Sequence, residues 1–451
     1  MEKYYGLIIG FGKGGKTLAG KLAAEGKKVA LIEKDSMMYG GTCINVGCIP
    51  SKSLVRSSGI AALNPEVAWS EKKAGYKTAI DEKRRVTGML RKKNYDKLND
   101  LSNVDIYDGK ASFITNTKVS VALTDGETVE LEAEKIFINT GSTSVVPRIE
   151  GLEGNPYTYY SNEMLELEEL PEHLAIIGGG YIGLEFASMY AGFGSKVTVI
   201  QDGDVFIPRE ERDVADAVQQ ALEQRGVSFL LGAATKKIDG GSIILDYQGK
   251  EQIVDADAIL IATGRRPNTD DLACDKAGVE LSNRGAVVVD AMLKTTAPNI
   301  WAMGDVTGGL QFTYTSLDDF RIVWSGLHGG NYNRDVRKAV PYSVFITPSL
   351  SRVGIGEEEA VAAGHEIKVF KLPAAAVPKA QVLKNPVGIL KAIVDVETKQ
   401  ILGASLFCEE SYEMINTVKL AMDAGLSYEV LRDQVFTHPT MSEALNDLFA
   451  G

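Results

Sequence analysis

Short apolar runs that end in glycine turns recur along this chain. Leu7-Ile8-Ile9 runs into Gly10-Phe11-Gly12-Lys13-Gly14-Gly15, and a helical pattern follows through Leu22-Ala23-Ala24. A second apolar run, Val29-Ala30-Leu31-Ile32, stops at Glu33. Strand, glycine turn, helix, strand, acid is the order of a dinucleotide-binding unit. Gly10 permits the tight turn, Gly12 admits a pyrophosphate, and Gly15 lets helix and strand pack closely. Glu33 is placed to bond a ribose hydroxyl. The order returns at Leu174-Ala175-Ile176-Ile177, Gly178-Gly179-Gly180-Tyr181-Ile182-Gly183 and the strand Lys196–Ile200. This second unit ends in Gln201 and Asp202 where the first has an acid. Asp202 favours a free ribose and Arg209 a phosphorylated one, so NADH and NADPH both stay open.

The charged stretch Asp81–Asn99 predicts an exposed helix, and Val104–Leu131 alternates as strands do. Two more apolar strands end in turns, at Asn139-Thr140-Gly141 and at Ala262-Thr263-Gly264. Ile300-Trp301-Ala302 leads to Gly304-Asp305, which sets a carboxylate at the carboxyl end of a strand. From about Val340 onward, strand-like runs alternate with two helix candidates and no nucleotide motif appears. The expected fold is α/β: two Rossmann-like dinucleotide-binding domains plus a C-terminal α+β domain. The expected boundaries are 1–150 and 270–335 for the first domain, 151–269 for the second and 336–451 for the third.

A length of 451 residues suits two or three cores. A net charge of −12 argues against nucleic acid or an anionic membrane as partner. No apolar run is long enough to span a bilayer and no signal-peptide pattern opens the chain, so a cytoplasmic protein is expected. Of four cysteines, Cys43 and Cys48 lie five residues apart, just after the first glycine turn. In a reducing compartment such a pair is redox-active or metal-binding. Paired metal ligands are missing around it, so no metal site is expected. Cys274 and Cys408 have no partner motif and read as small buried hydrophobes. Five residues of ideal helix rise about 7.5 Å, more than the roughly 7 Å between Cα atoms that a disulfide tolerates. A distorted turn eased by Gly47 is therefore expected between the two cysteines. Among four histidines, His438 stands out because Glu443 follows at a distance suited to orienting its ring.

Together these segments resemble the pyridine nucleotide–disulfide oxidoreductases over essentially the full length. The resemblance implies FAD, NADH or NADPH, and a homodimer whose active site is shared between subunits. It implies that Cys43 is the thiol that meets substrate and Cys48 the thiol next to the flavin. Lys52 would lie against the flavin with Glu185 as its ion-pair partner. Thr42, Ala111, Thr140, Gly141 and Asp305 would complete the flavin site. Tyr181 would gate the nicotinamide pocket, with Gly178, Gly180, Gly183, Gln201 and Gly264 around the nucleotide. His438 would be the acid–base, oriented by Glu443 and serving the cysteines of the other subunit. Within the family, Gly308–Ile322, the opening Ile8–Lys13, Met38–Gly41 and the ending Phe436–Phe449 are similar to bacterial reactive-chlorine-resistance flavin reductases. That similarity implies a small thiol-reactive oxidant as substrate, hypothiocyanous acid first. Lipoamide and metal-ion (copper or mercuric) reduction are the alternatives. The chain ends Asp447-Leu448-Phe449-Ala450-Gly451, without the vicinal cysteines of mercuric reductases.

Overall fold

A computed structural model describes residues 2–451. The strand Glu2–Ile9 is buried through Leu7, Ile8 and Ile9 and lies parallel between Val29–Glu33 and Thr128–Ile138. The register Ile9↔Ile32 and Ile9↔Ile138 brings Gly10, Glu33 and Asn139 to one edge of the sheet. Val104–Phe113 extends the sheet on one side, and Lys118–Leu123 pairs antiparallel with it and with Thr128–Ile138. The sixth strand is Ile300–Ala302, which returns after the whole second unit to pair with Thr128–Ile138, Trp301 opposite Phe137.

The second unit repeats this logic. Its parallel sheet runs Val227–Leu231, Lys196–Gln201, His173–Ile177, Ala258–Ile261, Thr158–Tyr159. A three-stranded antiparallel sheet, Ala233–Asp239, Ser242–Tyr247 and Lys250–Asp255, packs against it. The last part is a five-stranded antiparallel sheet, from Tyr342–Val344 to Ile401–Cys408 in sequence, covered by Ser411–Asp423 and Ala444–Ala450. It carries five helices where two were expected. Glu357–Ala362, Pro378–Val382 and Tyr428–Asp433 are single turns or little more, too short to set a 3.6-residue period.

The charged helix also differs from expectation. It begins at Trp69, not Asp81, and runs to Asn99. It is not simply exposed: Tyr76, Ile80, Lys83 and Thr87 recur on one face and are buried. Tyr76 shares a 2.8 Å hydrogen bond with Tyr190, and Lys83 donates to the Leu165 carbonyl at 2.7 Å and pairs with Glu166. The many lysines and arginines on the other face hide this stripe from a hydrophobicity reading. Among the described residues no helix is long and apolar enough to cross a membrane.

Candidate functional site

Both glycine turns open into one cleft of about 3210 Å³, well beyond the roughly 300–1,000 Å³ of a small-ligand pocket. At the first turn, Gly10 has φ +103°, and a Cβ there would sit 2.4 Å from the Asn139 carbonyl oxygen. Gly15 does not line the cleft. It lies behind the turn, where a Cβ would press on the Gly10 oxygen at 2.7 Å and Ile8 at 2.8 Å. Glu33 accepts from the Phe11 and Lys34 amides, both at 2.9 Å, and burial raises its pKa. Gly12, Thr42 and Ala111 line the cleft on this side, as do Thr140 and Gly141. Asp305 lines it too, with its carboxylate accepting from Ser142 Oγ at 2.8 Å and its pKa raised by burial.

The second turn is built the same way. Gly178 has φ +114°, and its Cβ would lie 2.4 Å from the Ala262 oxygen. Gly183, like Gly15, packs behind the turn, with Gly178 O only 2.1 Å from where its Cβ would be. Gly180 has no heavy atom within 4 Å of a Cβ position, so its backbone faces open cleft. Tyr181, Gln201 and Gly264 line the same region. Gln201 folds back on its own loop, its Nε2 donating to the Gly203 and Val205 carbonyls at 3.2 and 2.9 Å. Neither following helix, Lys13–Ala24 or Tyr181–Phe193, has a side-chain cap. At the first turn Ser316 and Asn139 occupy the Gly14 and Gly15 amides, which leaves Gly12 and Lys13 lining the cleft; both turns fit the pyrophosphate of a dinucleotide.

The cysteines sit where a helix breaks. Thr42–Asn45 is one short helix, Cys48–Ala61 is the next, and Val46-Gly47 separates them. A Cβ on Gly47 would lie 3.0 Å from the Thr42 oxygen, a tight contact, so glycine eases the break. All four cysteines are free thiols, with Cys274 and Cys408 buried as expected. Cys43 and Cys48 both line the cleft in the dithiol form. Hydrogen bonding from Cys43 lowers the Cys48 pKa to about 6, helped by Thr313 and by the charge of Lys52. The same bond, with burial, raises Cys43. Both shifts point the same way, favouring the thiolate at Cys48 over the one at Cys43.

Lys52 lies one turn along from Cys48 and ion-pairs with Glu185 at 2.7 Å. Glu185 also accepts from the Phe345 amide at 2.9 Å, and Lys52 lies over the Phe345 ring at 4.5 Å. This pair joins the cysteine helix to the helix of the second glycine turn. His438 and Glu443 stand apart. His438 Nδ1 meets Glu443 Oε2 at 2.8 Å and the Thr440 amide donates to Glu443 at 3.2 Å, but neither residue lines the cleft. The imidazole is 71% exposed, leaving Nε2 open to a partner. The other histidines are tied elsewhere: His173 to Thr198, His328 to Glu25 and His365 to Asp395.

Three residues of the site had no role in the sequence reading. Asn139 accepts from the Gly15 amide at 2.9 Å and donates to the Met303 carbonyl at 2.7 Å, tying the turn to the returning strand. Thr313, the first residue of the helix Thr313–Leu327, sets its hydroxyl 3.5 Å from Cys48 Sγ. Glu210 is buried against Tyr181 and Tyr342. The apolar-to-glycine transition at Asn139 marked its turn but not its side chain. The other two contacts have no signal in a single sequence.

Residues 6–319 match the pyridine nucleotide-disulphide oxidoreductase family, and residues 340–449 match its dimerisation domain. The chain is 52% identical over 451 residues to the probable pyridine nucleotide-disulfide oxidoreductase RclA of Escherichia coli (strain K12), covering 100% of this chain and 99% of that one. It is 32% identical to a mercuric reductase of Lysinibacillus sphaericus, covering 98% of this chain and 82% of that protein. The solved Cu(II) complex of the HOCl-induced flavoprotein disulfide reductase RclA from Escherichia coli superimposes with a TM-score of 0.94 at 51% identity, covering 100% and 99% of the two chains. The family depends on FAD and NAD(P)H, which is what the two glycine turns accommodate. With two nucleotide turns opening on one dithiol, and with both family profiles matched in order, this chain belongs to the pyridine nucleotide-disulphide oxidoreductase family.

Proposed function

We propose that this flavoprotein disulfide reductase spends NAD(P)H on a small thiol-reactive oxidant, hypothiocyanous acid, through Cys43 and Cys48, as a cytoplasmic homodimer. The observation that carries the reading is the placement of Cys43 and Cys48 in the cleft shared by both turns, with the Thr313 hydroxyl 3.5 Å from Cys48 Sγ and the Lys52–Glu185 pair one turn further along. When bound, FAD would supply the electron pair, drawn from NAD(P)H, that reduces the Cys43–Cys48 disulfide. Glu33 and Asp305 would hold its ribose and ribityl hydroxyls, and Lys52 would lie against its ring.

The dithiol then carries one proton, on Cys43. His438 of the partner subunit takes that proton, because a thiolate and not a thiol is the nucleophile. Cys43 attacks the sulfur of hypothiocyanous acid, and the S–O bond breaks. The departing hydroxide leaves as water with the proton from Cys43. Cys48 next attacks Cys43 Sγ, restoring the disulfide and expelling thiocyanate. The two thiols lose the electron pair that the oxidant gains. Supporting this substrate is the HOCl-induced character of the RclA relative. That relative's solved Cu(II) complex favours copper(II) reduction as a second reading.

Oxidation of NADH and NADPH should be compared with hypothiocyanous acid, lipoamide, oxidised glutathione, copper(II) and mercury(II) as acceptors. Hypothiocyanous acid is expected to turn over fastest. Fast lipoamide turnover with little response to hypothiocyanous acid overturns the proposal, and a copper(II) rate that exceeds all others selects the second reading.

A further inference from the structure

Tyr181 is the first residue of the helix Tyr181–Phe193, one turn before Glu185, and its ring lines the cleft. Its hydroxyl donates to Oε1 of Glu210. The same oxygen accepts from Tyr342 at 2.6 Å, and the two tyrosine rings lie 5.6 Å apart. Glu210 has no exposed side-chain surface. Its Oε2 is buried without a hydrogen-bond partner, 3.7 Å from the Arg352 guanidinium. Arg352 itself is committed to the Arg209 carbonyl and to Glu359. A buried carboxylate so placed depends on its two tyrosine donors, because losing a hydrogen bond to a charged group in the interior is costly.

We infer that Glu210 is a positioning residue that latches the Tyr181 ring in the cleft, so that admitting the nicotinamide requires breaking the Tyr181–Glu210 hydrogen bond. This rests on the reading of Tyr181 as the ring over the nicotinamide pocket. Tyr342 sets the strength of the latch. While both hydroxyls share Oε1, the carboxylate keeps one donor when Tyr181 swings away. Without the Tyr342 hydroxyl, Tyr181 becomes its only hydroxyl donor and is held harder. Arg209, next in sequence, lines the cleft, as Asp202 does, so the latch sits at the end of the loop that borders the second turn. The latch thereby sets nucleotide affinity from outside the contact surface.

The test is stopped-flow reduction of the flavin-loaded enzyme by NADH. The concentration dependence gives the nucleotide Kd, and the plateau gives the hydride-transfer rate. Tyr181→Phe, which keeps the ring but not the hydroxyl, should lower Kd about tenfold, since the bond it removes is to a charged acceptor. Glu210→Gln, a neutral and weaker acceptor, should lower Kd by about threefold. Tyr342→Phe should move Kd the other way, up by about threefold. The plateau rate should stay within about twofold in Glu210→Gln and Tyr342→Phe, which a loosened fold would not produce. Variants that all shift Kd in one direction, or leave it unchanged, overturn the latch. Tyr181→Ala separates the two ideas. If it changes Kd while Tyr181→Phe and Glu210→Gln do not, the latch fails and the gate stands. If it too leaves reduction unchanged, Tyr181 does not cover the nicotinamide.

Discussion

The two glycine turns share a backbone and differ in what surrounds it. At the first, the amides of Gly14 and Gly15 are bonded by Ser316 and Asn139, and Glu33 is clamped by the Phe11 and Lys34 amides. Residues from 124 and 302 positions away thus lock one turn. At the second, Gln201 bonds only its own loop, Asp202 and Arg209 stand at the cleft, and Gly180 faces open space. The first, tied by distant side chains, suits a resident group in the proposed function. The second, bonded within its own loop, suits a ligand that comes and goes. The same supersecondary unit serves both because side chains from elsewhere decide its stiffness.

Matched substitutions give the largest contrast. Gly10→Ala and Gly178→Ala force the same 2.4 Å clash at a positive φ. Gly10→Ala should purify without flavin and show no yellow absorbance. Gly178→Ala should keep its flavin, with reduction by NAD(P)H slowed about a hundredfold, the effect of a few kcal/mol of strain. If both variants lose flavin, the two turns are not separate sites. Cys43→Ser leaves both turns intact, so flavin reduction should survive while oxidant turnover falls by about three orders of magnitude. Unchanged turnover in that variant would mean the flavin reduces substrate directly.

Asn139→Ala orphans the Gly15 amide and the Met303 carbonyl, at a cost of about 1–3 kcal/mol for each buried group. Calorimetry should show a lower Tm, and fluorescence should show flavin released at lower denaturant, with NADH affinity barely altered. The thiol titration sharpens the contrast further. With its pKa lowered to about 6, chiefly by the hydrogen bond from Cys43, Cys48 is expected to gain thiolate character as pH rises through that value. Its alkylation by iodoacetamide should therefore rise as pH increases through that value. In Cys43→Ser the main cause of the lowered pKa weakens, and the midpoint should move upward. Smallest is Gln201→Glu, which places a like charge against a 2′-phosphate and should raise the NADH over NADPH preference about tenfold in kcat/KM.

Much of the site was legible because it is local. Gly10, Gly15 and Glu33 lie within one strand–turn–helix–strand unit, and Cys43, Gly47 and Cys48 within one short string. The Lys52–Glu185 pair was legible only through resemblance, since 133 residues separate its members. Thr313 beside Cys48 spans 265 residues, and no periodicity reports such a contact. The early start of the helix at Trp69 was hidden by its charged face. His438 and Glu443 announced themselves as a pair by spacing, yet neither lines this cleft. Local chemistry was readable, and the meeting of distant elements was not.

The return of Ile300–Ala302 to pair with Thr128–Ile138 has a consequence for synthesis on the ribosome. The first sheet lacks its sixth strand, and Phe137 lacks its stacked partner Trp301 at 5.3 Å, until the chain has grown past the whole second unit. At about 5–20 residues per second that interval is roughly 8–30 s. The second sheet, by contrast, draws all its strands from one continuous stretch, 158–261. The nascent chain is therefore expected to fold from the middle outward, its nicotinamide berth forming before the flavin seat that precedes it in sequence. Protease digestion of ribosome-bound chains stalled near residue 290 should find the stretch 158–261 resistant and the first hundred residues still cut.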